Sequence, residues 1–188
     1  MIDRRNALAG MAAMFGAALF PPIARAGGFQ PAVLPVISTG APSAPVFTAA
    51  QRALMTQLSE RVMPTTDTPG AIAAEVPAYI EKLLADWSFP DERKPILAGL
   101  DAMDAASRAR FGKPGAQASA EQLDALLTLA MNNQLPGGSG FFEPFRQMVL
   151  TGYFTSEIGI TQEREYLPVP GEYNGAYPIS KVTKVFSS

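Results

Sequence analysis

Carboxylates are the chain's main candidates for chemistry. It has no histidine and no cysteine. That removes the commonest general base, thiol nucleophiles, disulfides, covalent haem attachment, iron–sulfur ligation by the chain and the usual imidazole metal ligands. Acid pairs remain, Asp67 with Glu75 or Glu143 with Glu157, of the kind that cleaves glycosides without an imidazole. Nothing in their spacing places either pair on one cleft. Asp67 stands among threonines ahead of Pro69-Gly70, the setting of a turn-forming acceptor rather than a base. Asp101 and Asp104, close to Arg108 and Arg110, read as a solvated helix face with ion pairs. The loop at residues 135–140 has neither the spacing nor the Lys-Ser/Thr of a phosphate cradle. Phe141 stands where a nucleophile elbow needs its last glycine, so a hinge is the plain account. The expectation is a chain with no catalytic, cofactor-binding or metal-binding residue of its own.

The elements that carry these residues are helical. Thr48 and Gln51 form a capping box ahead of a stripe of Leu54, Leu58 and Val62, with Pro64 beyond the end. The turn at residues 66–71 leads through Pro77 into a second stripe of Val76, Tyr79, Ile80, Leu83, Leu84 and Trp87. A third helix lies within residues 91–111, where Pro95 limits its start and Gly112 ends it. Ser119 and Gln122 cap a fourth, whose buried stripe is Leu123, Leu126, Leu127, Ala130 and Met131. The fold class is therefore mainly α, a small domain of about four to five helices with an irregular, aromatic and proline-rich C-terminal tail.

Residues 1–26 read as a signal peptide. Arg4 and Arg5 precede a short apolar run, and Ala24-Arg25-Ala26 supplies the cleavage pattern. The arginine pair favours twin-arginine (Tat) export, although Asp3 and Ala7 depart from the usual motif and leave the Sec route open. The run stops at Pro21-Pro22, short of the roughly 20 residues that span a bilayer, which favours cleavage over an uncleaved anchor. The expected location is the periplasm. Residues 27–46, with Pro31, Pro35, Pro42 and Pro45, form an extended arm, as a spacer or as a partner-wrapping segment. The helical domain takes residues 47–188, its tail starting near residue 153.

Composition narrows the partners. Net charge is −2 over 188 residues, with no basic face for nucleic acid. Apolar residues make up 47% against 17% charged, a balance that favours a chain burying surface on another protein; an alanine-rich leader also inflates that count.

Eight of the chain's 17 aromatics fall in residues 141–177. Phe141, Phe145, Met148 and Val149 repeat at helical spacing, Gly152 reads as the stop, and Tyr153-Phe154-Thr155 is β-prone. Gly159, Pro168, Pro170 and Gly171 then forbid a long regular element, so the tail has to lie on a surface. Residues 179–188 fit a short strand or a docked tail.

This order, Phe141-Phe142, then Gly-Tyr-Phe-Thr-Ser-Glu-Ile-Gly at residues 152–159, then Tyr-Leu-Pro-Val-Pro-Gly-Glu-Tyr-Asn-Gly at residues 166–175, resembles the gluconate 2-dehydrogenase subunit 3 family. The turn at residues 66–71 and the helix ending near Trp87 match it too, and the likeness spans residues 47–177. The resemblance implies a small non-flavin subunit of a periplasmic sugar dehydrogenase. Its implied partners are an FAD-dependent catalytic subunit of the glucose-methanol-choline type and a c-type cytochrome carrying haem c, with the Tat translocase engaged through the leader. The membrane is reached only through the complex. The expected contact set is Phe141, Phe142, Tyr153, Phe154, Tyr166, Tyr173 and Tyr177, because aromatics bury large area at small rotamer cost. For Phe141, Phe145 and Tyr153 a place in the domain's own core is an equal alternative. The competing function is a stand-alone periplasmic hydrolase working by carboxylates.

Overall fold

The computed structural model describes residues 41–167, 169, 171 and 174–187. The leader with Arg4, Arg5, Ala24 and Ala26, most of the arm, and Tyr173 lie outside them.

Five α-helices make up the described domain: α1 (Ala49–Val62), α2 (Val76–Asp86), α3 (Pro90–Phe111), α4 (Ala120–Met131) and α5 (Phe142–Phe154). The mainly α class holds. Both expected capping boxes form. Thr48 Oγ1 accepts from the Gln51 N–H at 3.2 Å while Gln51 Oε1 accepts from the Thr48 N–H at 3.0 Å, and Ser119 and Gln122 repeat the exchange on α4. Gly112 ends α3 in the left-handed region at φ 69°.

Helix α1 is the hub and packs against all four others. Its Leu54, Met55 and Leu58 share one buried core with Ile80 and Leu84 of α2, Ile96, Leu100 and Met103 of α3, Leu123 and Leu126 of α4, and Phe145 and Val149 of α5. Two forked ion pairs fix its rotation. Arg52 grips Glu81 of α2, and Arg61 holds Asp124 of α4 with both contacts at 2.7 Å. The Arg52 hydrogen bond, set against the cost of burial, keeps the Glu81 carboxyl below its ordinary range.

Four local expectations are corrected. Gly152 does not stop α5, which runs on to Phe154, so Tyr153 and Phe154 are helical rather than β-prone. A Cβ at position 152 would come within 2.6 Å of the Tyr79 ring. This glycine lets α5 approach α2; its role is packing. Pro95 does not delay α3, because Pro90 opens the helix. Pro95 removes only the bond to the carbonyl of Asp91, an exposed residue whose carbonyl water can satisfy. Trp87 and Met131 leave their stripes for solvent, at 49% and 53% exposure, since each lies at or beyond the last turn of its helix.

After α5 a π-helical turn, Gly159–Glu163, leads into β1 (Glu165–Tyr166). It pairs in parallel with β2 (Phe186–Ser187), Glu165 opposite Phe186 and Tyr166 opposite Ser187. Of residues 179–188, Ile179–Lys181 form a 3-10 turn and Phe186–Ser187 the short strand, one of the two forms the sequence allowed. Among the described residues no helix is long and apolar enough to cross a membrane.

Candidate partner interface

The turn at residues 64–72 is built around Glu60. Its carboxylate accepts from the Thr65 N–H at 2.9 Å, the Thr65 hydroxyl at 2.8 Å and the Ile72 N–H at 2.9 Å. Three donors on one carboxylate leave the turn little freedom. Tyr153, fully buried at the end of α5, reaches across and donates its hydroxyl to the Pro69 carbonyl at 2.8 Å. Thr68 of the same turn donates to Glu163 Oε2 at 2.6 Å. The T-D-T-P-G-A turn and the GYFTSEIG segment, distant in sequence, are therefore one structural unit.

The tail is hung on that unit. Ser156 Oγ donates to the Tyr153 carbonyl at 2.7 Å and accepts from the Gly159 N–H at 3.0 Å, turning the chain tightly out of α5. A Cβ at 159 would lie 2.0 Å from the Tyr153 carbonyl oxygen, so only glycine fits there. The Arg164 guanidinium stacks over the Phe154 ring at 4.7 Å. The Glu165 N–H donates to Val185 O at 3.0 Å and the Leu167 N–H to Ser187 O at 2.8 Å. Ser187 Oγ adds a bond to Ile160 O at 3.1 Å, and Lys184 donates to Gln162 O. These contacts close the tail into a hook whose two ends are clasped.

The hook is apolar and turned to solvent. Tyr166, Leu167, Tyr177, Val182, Val185 and Phe186 are all exposed, and Val169 and Ile179 reach 77% and 88%. Beside the clasp an open cleft of about 590 Å³ is lined by Asp67, Thr68, Phe154, Glu163, Arg164 and residues 182–185. Its charged groups are two acids and two bases.

The expected contact residues divide. Phe141 and Tyr153 belong to the domain's own core, with Phe141 stacked on Phe145 at a centroid distance of 5.1 Å. Of the two readings open for them, core is the one that holds, and their burial takes them off the contact surface. Phe142 and Phe154 are half-buried, Phe154 beneath Arg164 and Phe142 on a groove with Met131 and Arg146. Tyr166 and Tyr177 are exposed on the hook.

Sequence reasoning missed a second apolar face. Trp87 and Phe89, the latter 72% exposed, flank the α2–α3 corner, where Leu83, Ile96, Pro144 and Met148 line a groove. The two aromatics just before Pro90 were its signal.

The carboxylates do not assemble. The Thr66 hydroxyl, at 2.9 Å, is the largest influence holding the Asp67 carboxyl below its ordinary value, which makes it a poor proton acceptor. Glu143 is exposed and forked by Arg146 at 2.9 and 3.0 Å, and Glu75 and Glu157 are exposed. Asp104 pairs with Arg108 at 2.7 Å as a helix-face ion pair. Among the described residues no group of three or more acids, histidines or cysteines is placed to hold a metal ion.

A small helical domain whose two signature segments interlock to display an apolar hook has the build of an interaction subunit. The sequence model of one family, described as gluconate 2-dehydrogenase subunit 3, matches residues 49–171, and the chain belongs to that family. No curated protein and no solved structure matches it.

Proposed function

We propose that this chain is the non-catalytic small subunit of a periplasmic FAD-dependent dehydrogenase of the glucose-methanol-choline type, acting on a sugar or sugar acid. In this reading the flavoprotein does the chemistry and passes electrons to a c-type cytochrome, while this chain stabilises it and escorts it through the Tat pore on the Arg4-Arg5 leader. Tat carries folded proteins, so one leader can serve two chains. The observation that carries the reading, beside family membership, is the clasped hook. A tail that exposes Tyr166, Val169, Tyr177, Ile179 and Val185 while its two ends are clasped together by a strand pair is a preformed docking element. Holding its ends lowers the ordering cost on association.

Co-expression with the flavoprotein tests it, with and without this chain and with Arg4 and Arg5 changed to lysine. Periplasmic flavin and dye-linked sugar oxidation should both disappear when either the chain or its arginine pair is lost. A flavoprotein that reaches the periplasm active without this chain removes the escort role.

A further inference from the structure

Asn174 is the only one of the chain's asparagines that is followed by glycine. It lies exposed within the hook, in a turn closed by the Tyr177 N–H donating to its carbonyl at 3.2 Å. Its side chain is folded back on that turn, with Oδ1 accepting from the Ala176 N–H at 3.0 Å. This bond draws electron density from the side-chain carbonyl and so makes Cγ more electrophilic. It also keeps the amide over the backbone of its own turn. The neighbouring Gly175 N–H is exposed and has no acceptor among the described residues, and no Cβ shields its nitrogen.

We infer that Asn174-Gly175 is a self-modification site, at which the backbone nitrogen of Gly175 attacks Cγ of Asn174. A base from solvent takes the Gly175 N–H proton, the N–Cγ bond forms, and the side-chain nitrogen leaves as ammonia. The product is a five-membered succinimide. Water then opens either of its carbonyls, giving aspartate or isoaspartate at position 174. No electrons are exchanged, and water is the only co-reactant. Either product puts a new carboxylate between Tyr173 and Tyr177, and isoaspartate also lengthens the main chain by one carbon.

The other asparagines of the described domain lack this arrangement. Asn132 caps α4 and is followed by Asn133, itself followed by Gln134, so the attacking nitrogens there are crowded. The Asn133 and Gln134 N–H groups are also engaged, by Ala130 O at 3.1 Å and Leu129 O at 2.8 Å. The hook thus carries a slow, one-way chemical clock. Its effect on assembly rests on the function proposed above, where a charge introduced on an apolar contact loosens the complex.

The experiment incubates the purified full chain in mildly alkaline buffer. Ammonia release is followed, and the tryptic peptide of residues 165–181 is mapped for aspartate and isoaspartate. A synthetic peptide of the same sequence serves as the unfolded reference. The full chain is expected to convert at Asn174 at least as fast as the peptide, and Gly175→Ala to lose most of that conversion. An intact Asn174 in the full chain while the free peptide converts overturns the inference, as does new acid confined to Asn132 or Asn133. None of these readouts needs a partner, so the chemistry can stand even if the subunit role falls.

Discussion

The Tyr153 hydroxyl donates to the Pro69 carbonyl at 2.8 Å and lies 3.5 Å from the Thr68 hydroxyl. That contact joins the last turn of α5 to the T-D-T-P-G-A turn, and everything beyond residue 156 hangs from the junction. Tyr153→Phe keeps the ring in the core and leaves the Pro69 carbonyl without this partner, which should cost about 1 kcal/mol. Urea denaturation should show a lower midpoint at unchanged slope. An unchanged midpoint means that the hydroxyl does not hold the turn.

Gly152 distinguishes a helix stop from a packing site. At a mere stop, alanine would be neutral or would stabilise through its better helix propensity. Against the Tyr79 ring its Cβ has no room, so Gly152→Ala should destabilise by about 1–3 kcal/mol. Adding Tyr79→Ala should recover part of the steric loss, with thermal unfolding of the two variants as the measurement.

The arm enters the domain at Asp86. Its carboxyl is held down at about 2 from an ordinary 3.8, first by Ser43, whose N–H donates at 2.9 Å, and then by Lys82 at 3.1 Å. Because the folded value is depressed, the stabilisation is fully present above the ordinary value and is lost as pH falls through about 2. Protection of the Ser43 amide, its exchange measured against the unstructured rate at the same pH, should therefore fall on acidification across that window. In Asp86→Asn that protection should be low already at neutral pH and should not change with acidification.

Phe145 tests whether the aromatic helix is core. It is fully buried and stacked on Phe141. Phe145→Ala should cost about 3–5 kcal/mol and release the hook as well, because α5 carries both. A variant as stable as the parent would show that the stack contributes little.

Local chemistry was legible in the sequence, and distant contacts were not. The Thr48–Gln51 and Ser119–Gln122 boxes span a single turn, so their residue types suffice to place them. Gly152 was misread because backbone propensity at a glycine is local, whereas the Tyr79 ring that requires the glycine lies on another helix. The corrective signal was present: Phe141, Phe145, Val149 and Tyr153 keep four-residue spacing straight past it. The pairing of Glu165 with Phe186 could not be read, since a two-residue parallel strand has no pattern of its own. For the site, the tail's surface character followed from its prolines and glycines, while the Tyr153–Pro69 bond behind it depends on how α5 meets the turn.

The most direct test of the account is the company the full chain keeps. It should be isolated from its native host without denaturant, beside a Tyr166→Ala/Tyr177→Ala variant, and each eluate read for bound flavin and dye-linked oxidation of sugars. A flavoprotein is expected in near-equal amount with the parent chain, active on a sugar or sugar acid, and strongly depleted with the variant although the variant's helical content is unchanged. A parent chain that elutes folded and flavin-free would contradict it.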